Sequence, residues 1–207
     1  MSKKHIEHSD QNTSAALLLI DVINTMDFEN AELLARFTEK TADNIASLKK
    51  QAKAKGMPVI YVNDNYGLWQ SDFKKVINYA AEANGQHLVD RLEPEEDDYT
   101  VVKPKHSGFF STPLSTLLKY LNVNTLIITG FAGNICVLFT ANDAYMREYD
   151  LYIPSDCCAS NVEEDNNYAL KLMEGNLKAN TQHSSELNLN DLIEKANTRS
   201  KATAYEG

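Results

Sequence analysis

Three residues of reactive type stand where the hydropathy pattern ends a buried strand. Asp21 closes the apolar run Ala15–Ile20, Lys103 closes Tyr99–Lys103, and Cys136 follows the run Leu126–Thr129 across a glycine-containing turn. A cysteine delivered to the start of a helix meets unpaired N–H groups that together carry roughly half a positive charge. Such an end stabilises a thiolate and can draw the thiol from its ordinary ~8.5 down to roughly 3.5–7.5. An isolated cysteine is more often a small buried hydrophobe, so its neighbours decide the reading. A carboxylate within reach takes the thiol proton when burial raises its proton affinity, and Asp21 has the type for that role. An ammonium beside both, Lys103, favours thiolate, orients the carboxylate and stabilises charge developing on a substrate. The backbone N–H groups of Ala132 and Cys136 are then placed to face a substrate oxygen as an oxyanion hole. Singly, Asp21 reads as a turn residue and Lys103 as a surface charge. Converging on one edge, the three read as base, electrostatic partner and nucleophile.

The elements that must bring them together follow from periodicity. Ala15–Ile20 is a continuous apolar run, the pattern of a strand buried on both faces. Leu33, Leu34, Phe37, Ile45 and Leu48 recur at helical spacing over Ala31–Lys55, and Gly56 with Pro58 stops that helix. Further strands are expected at Pro58–Val62, Tyr99–Lys103, Leu126–Thr129, Leu151–Pro154 and Ala179–His183. Helices are expected at Pro113–Leu121, capped by Thr112, and at Val137–Tyr149 and Glu163–Leu177. The stretch before Asp98 is mixed. Strands alternating with helices imply right-handed crossovers: an α/β, Rossmann-like, three-layer α-β-α fold with a mostly parallel six-stranded sheet and helices on both faces. In such sheets ligands bind beyond the carboxyl ends of the strands, where Asp21, Lys103 and Cys136 fall.

Bulk properties narrow the partners. A chain of 207 residues suits one domain, expected over 15–207 behind a flexible polar leader over 1–14 that lacks the apolar core of a secretory signal. A formal net charge of -9 argues against nucleic acid or an anionic membrane as partner and leaves a small-molecule substrate. Three cysteines, of which Cys157 and Cys158 are adjacent, make no disulfide framework and suit a reducing cytoplasm. Gly130 and Gly133 lack the rest of a nucleotide-binding fingerprint.

Four segments together resemble the isochorismatase-like cysteine hydrolase superfamily, which includes nicotinamidases, N-carbamoylsarcosine amidohydrolase, ureidoacrylate and biuret amidohydrolases, and isochorismatases. They are Leu18–Asn24, Val102–Thr112, Thr129–Val137 and Ser155–Ser160, and the likeness runs from about Ala15 to Glu186. The resemblance implies an Asp21-Lys103-Cys136 triad, a cis peptide at Phe131–Ala132 that aims an N–H at the substrate oxygen, and a homo-oligomer, dimer or tetramer. The chain departs from the pattern twice. Metal-dependent nicotinamidases carry Asp-x-His after the second strand, whereas here Asp64 stands in Asn63-Asp64-Asn65-Tyr66 without the histidines. No catalytic metal and no cofactor are therefore expected, because such a site needs imidazole or several good ligands. The second departure is Thr25, where many relatives have an acid.

For the substrate pocket, Tyr66 and Trp69 are candidates to stack on a planar group, with Phe110 and Phe131 as walls. His106 is expected in a supporting hydrogen bond, Asp156 as a loop anchor, and Cys157 and Cys158 as buried small side chains. The expected activity is metal-independent hydrolysis of a small amide, ureido or related C–N bond through a thioester. A vinyl ether hydrolase of isochorismatase type, in which Asp21 protonates substrate, and a catalytically silent ligand-binding member are the alternatives.

Overall fold

Alternation along the first strand divides the core in two. In a computed structural model, which describes residues 13–69 and 72–205 with side chains to 200, β1 (Ala15–Ile20) is buried on both faces. Ala15, Leu17 and Leu19 point into one cluster; Ala16, Leu18 and Ile20 point into the other. This is the period-two rule applied to a strand with no solvent face. Most of the leader expected over 1–14 lies outside the described residues. Ser14 lies within them, and its N–H donates to Asn197 at 2.7 Å.

The chain continues through α1 (Ala31–Ala54), β2 (Val59–Asp64), α2 (Phe73–Glu82), α3 (Gln86–Leu92) and β3 (Tyr99–Lys103). It then forms α4 (Leu114–Tyr120), β4 (Thr125–Phe131), a π turn over Gly133–Val137, α5 (Leu138–Tyr145) and β5 (Asp150–Tyr152). The two-residue β6 (Cys158–Ala159), α6 (Glu163–Leu177) and α7 (Leu189–Tyr205) complete it. Helices α1, α2, α3 and α7 supply the first core cluster, and α4, α5 and α6 the second, so the sheet is the middle of three layers. Strand order is β3-β2-β1-β4-β5, with parallel pairing throughout, and β6 extends the β5 edge by pairing with the last residues of β4. Order reverses between β1 and β4, which opens a crevice beyond their carboxyl ends.

The sheet has its six strands, but the sixth is not where hydropathy placed it. Ala179–His183 forms a single bridge, Asn180 to Tyr152. The Asn180 side chain accepts from the Gln182 N–H and donates to the Gln182 side chain, so local polar bonds compete with a ladder there. Helices α2, α3 and α7 were not legible as elements. Their apolar stripes are short, as in Phe73, Val76 and Ala80 of α2, although Asp72 caps that helix by accepting from the Lys74 N–H at 3.1 Å.

Candidate active site

Sheet register aligns the three reactive residues. Ile20 pairs with Gly130, so Asp21 lies beside the end of β4; Asp64 pairs with Lys103 across β2 and β3. At Gly130, which has φ +119, an added Cβ would lie 2.0 Å from the Ile20 carbonyl oxygen, so glycine alone allows β1 and β4 this close. Asp21 adopts φ 50 and donates its N–H to the Val62 oxygen at 3.1 Å, turning its carboxylate inward. One carboxylate oxygen, Oδ1, accepts from the Asp64 N–H at 2.7 Å, while Oδ2 lies 2.8 Å from Lys103 Nζ. Lys103 is wholly buried, and its Nζ also donates to the Lys105 oxygen at 3.1 Å and lies 3.5 Å from Cys136 Sγ.

Cys136 sits within the π turn, not at the open first turn of a helix. The Ala132 carbonyl accepts from the N–H groups of Ile135 and Val137, both at 3.1 Å, and passes over that of Cys136. The Phe131–Ala132 peptide is cis. This local pattern takes the Cys136 N–H out of the i→i−4 bond that a regular helix would give it. Above Cys136 opens a cavity of about 450 Å³, with Asp21, Phe131 and Ala132 in its lining and Phe28, Ile135 and Val162 as apolar walls.

Electrostatics reverse the expectation of a depressed thiol. Burial pushes Cys136 up to about 12, the Asp21 carboxylate adds to the rise, and Lys103 opposes it. Burial likewise raises Asp21 above the usual carboxylate range, against the pull of Lys103 and of a hydrogen bond with Cys136. Burial alone would lower Lys103; the charges of Asp21 and Cys136 outweigh it and hold the ammonium protonated. Lys103 is thus an ammonium beside a Cys136 thiol, and Asp21 is the group to which the sulfur's proton is positioned to move. The helix end does not lower the thiol here because Cys136 is desolvated and faces the buried Asp21 carboxyl group.

Of the four expected pocket aromatics, Phe131 lines the cavity and the other three do not. Tyr66 donates its hydroxyl to the Ile23 oxygen at 2.8 Å beneath the site, Trp69 is 76% exposed, and Phe110 is 56% exposed. Thr25 is buried away from the cavity and accepts the Asn84 N–H through its carbonyl. His106 stands closer to the chemistry than expected, with Nδ1 4.0 Å from Cys136 Sγ and its ring against Phe139. Asp156 anchors the chain after α6 by accepting from the Ser184 N–H and hydroxyl. Cys157 and Cys158 are buried free thiols, both raised by burial.

Sequence reasoning missed Asn24, Phe28 and Glu29 after β1, and Asn161, Val162 and Asp165 after β6. Their signal was position, since each follows the carboxyl end of a strand. The residues near Asp64 do not suit a resident metal. Its Oδ1 accepts from the Tyr66 N–H and its Oδ2 lies 3.8 Å from Lys103 Nζ. Among the described residues no group of three or more His, Cys, Asp or Glu side chains is placed to hold an ion.

Residues 15–185 match the family model "Isochorismatase domain". This chain is an isochorismatase-family hydrolase. It is 51% identical over 164 residues to the isochorismatase family protein YaaI of Bacillus subtilis, covering 79% of this chain and 91% of that one. It is 32% identical over 162 residues to the ureidoacrylate amidohydrolase RutB of Klebsiella pneumoniae, covering 65% and 69%. The crystal structure of the nicotinamidase of Staphylococcus aureus superposes with a TM-score of 0.64 at 25% identity, covering 82% of this family member and 98% of the nicotinamidase.

Proposed function

We propose that this family member hydrolyses the C–N bond of a small amide or ureide through a thioester on Cys136. The observation that carries the reading is the contact chain at the cavity floor, with Asp21 Oδ2 2.8 Å from Lys103 Nζ and Nζ 3.5 Å from Cys136 Sγ. Asp21 takes the thiol proton as sulfur bonds to the carbonyl carbon. Charge collecting on the substrate oxygen is met by the N–H groups of Ala132 and Cys136. As the C–N bond breaks, Asp21 passes its proton to the departing nitrogen, leaving an acyl-thioester. Asp21 then takes a proton from water as the resulting hydroxyl bonds to the acyl carbon. The C–S bond breaks, and the sulfur recovers that proton. Lys103 remains an ammonium throughout. The amide-cleaving names of RutB and the nicotinamidase support the same bond class.

Ammonia release from a panel of small amides and ureides tests the reading, with intact-mass analysis of Cys136. An acyl mass on the wild type that is absent from Cys136→Ser supports it; full turnover by Cys136→Ala overturns it. The raised Asp21 also suits protonation of a vinyl ether, and turnover of isochorismate without a protein adduct would favour that alternative. The proposal further includes a reducing cytoplasm, a small-molecule substrate and no cofactor. It also includes self-association through the face carrying Ile135, Phe139 and Met146. No described helix is long and apolar enough to cross a membrane.

A further inference from the structure

The charge around the cavity is one-sided. Its lining holds the carboxylates of Asp21, Glu29 and Asp165 and no lysine, arginine or histidine. Asp21 is matched by Lys103 beneath it. Glu29 and Asp165 are exposed, and among the described residues neither has an ion-pair partner. Asp165 belongs to the first turn of α6, where an acid is ordinary because it faces the helix N-terminus. Glu29 comes from the end of the loop between β1 and α1, next to the Asn30 N-cap of α1. Two unneutralised carboxylates thus reach the same cleft from different elements, above a floor where Lys103 is already engaged by Asp21 and Asp64. The same lining also holds the apolar side chains Phe28, Ile135 and Val162.

Resting on the amidase reading above, we infer that the substrate carries a cation, an ammonium or similar group, apart from its scissile carbonyl. A substrate carboxylate in the same place meets like charge from both Glu29 and Asp165 with no arginine or lysine to receive it. The inference concerns the mouth of the catalytic cleft; Glu29 and Asp165 are specificity residues and touch no reacting atom.

Three primary amides of similar length separate the outcomes: 4-aminobutanamide, pentanamide and succinamate, cationic, neutral and anionic at pH 7.5. Ammonia release is expected to give kcat/KM in that order, with the cation over the anion by roughly tenfold or more at low salt. In the double variant Glu29→Gln, Asp165→Asn the cation-to-anion ratio should fall toward one, and added salt should shrink the wild-type ratio in the same direction. Equal or faster turnover of succinamate overturns the inference and leaves the amidase reading standing.

If none of the three is hydrolysed, the amidase reading loses support, and the charge inference is decided by thiol modification instead. Trimethylammonioethyl and sulfonatoethyl methanethiosulfonate should then modify Cys136 with a cation-to-anion rate ratio above that of 2-mercaptoethanol, with Cys136→Ser as blank. That excess must diminish in the double variant; an unchanged ratio overturns the inference.

Discussion

At the scale of single residues, the decisive fact is that burial raises the proton affinity of both Asp21 and Cys136, the Asp21 charge adds to the rise at Cys136, and Lys103 restrains both. A thiol held near 12 is mostly protonated at neutral pH, so Cys136 should be alkylated by iodoacetamide at pH 8 more slowly than a free thiol. Asp21→Asn removes the adjacent negative charge, which favours thiolate. Alkylation should therefore quicken, about tenfold for each pKa unit recovered, while hydrolysis falls ~100- to 10,000-fold for want of a base. Alkylation unchanged in Asp21→Asn would show that the two groups do not share a field. The types at positions 21, 103 and 136 were legible because each ends an apolar run. The thiol's resting state was not, since it depends on desolvation and on a carboxylate distant in sequence.

At the scale of elements, two close approaches hold the site's frame. Gly130 lets β1 and β4 touch where the strand order reverses, and Gly130→Ala forces a Cβ into the Ile20 backbone. Thermal unfolding should show a loss of about 3 kcal/mol, or roughly 6–12 °C in Tm, alongside lost activity. The second approach fixes the segment that leads into β3. Lys49 of α1 is buried, lies 2.6 Å from Asp98 Oδ2, and donates to the Tyr61 hydroxyl at 3.1 Å. Lys49→Met leaves the buried Asp98 carboxylate with one ammonium, Lys53 at 3.0 Å, and the Glu95 N–H, and urea unfolding should register a loss of ~3 kcal/mol. An unchanged midpoint would mean that Lys53 neutralises Asp98 unaided. Long strands and α1 were readable from their periods; α2, α3 and β6 were not, because seven to ten residues, or two, carry little periodic signal.

At the scale of the whole molecule, one face awaits a partner in the proposed assembly. Ile135, Phe139 and Met146 project from one side of the π turn and α5, and Met146 is 71% exposed. Sedimentation of the wild type should give a dimer or tetramer, and Phe139→Glu with Met146→Glu should shift it to monomer; a monomeric wild type removes self-association from the proposal. By itself the sequence determined the layered α/β fold, the edge of the sheet that bears the chemistry, and the three reactive types on it. Apolar runs specify buried strands, and parallel crossovers send every strand's carboxyl end to the same edge. Only the tertiary structure decided the protonation pattern, the π turn that re-aims Cys136, the place of the sixth strand, and the acidic mouth of the cleft. The π turn is a choice among hydrogen bonds to the Ala132 carbonyl that hydropathy does not record, and the others depend on groups far apart in sequence meeting at a few ångströms, where burial and charge act together.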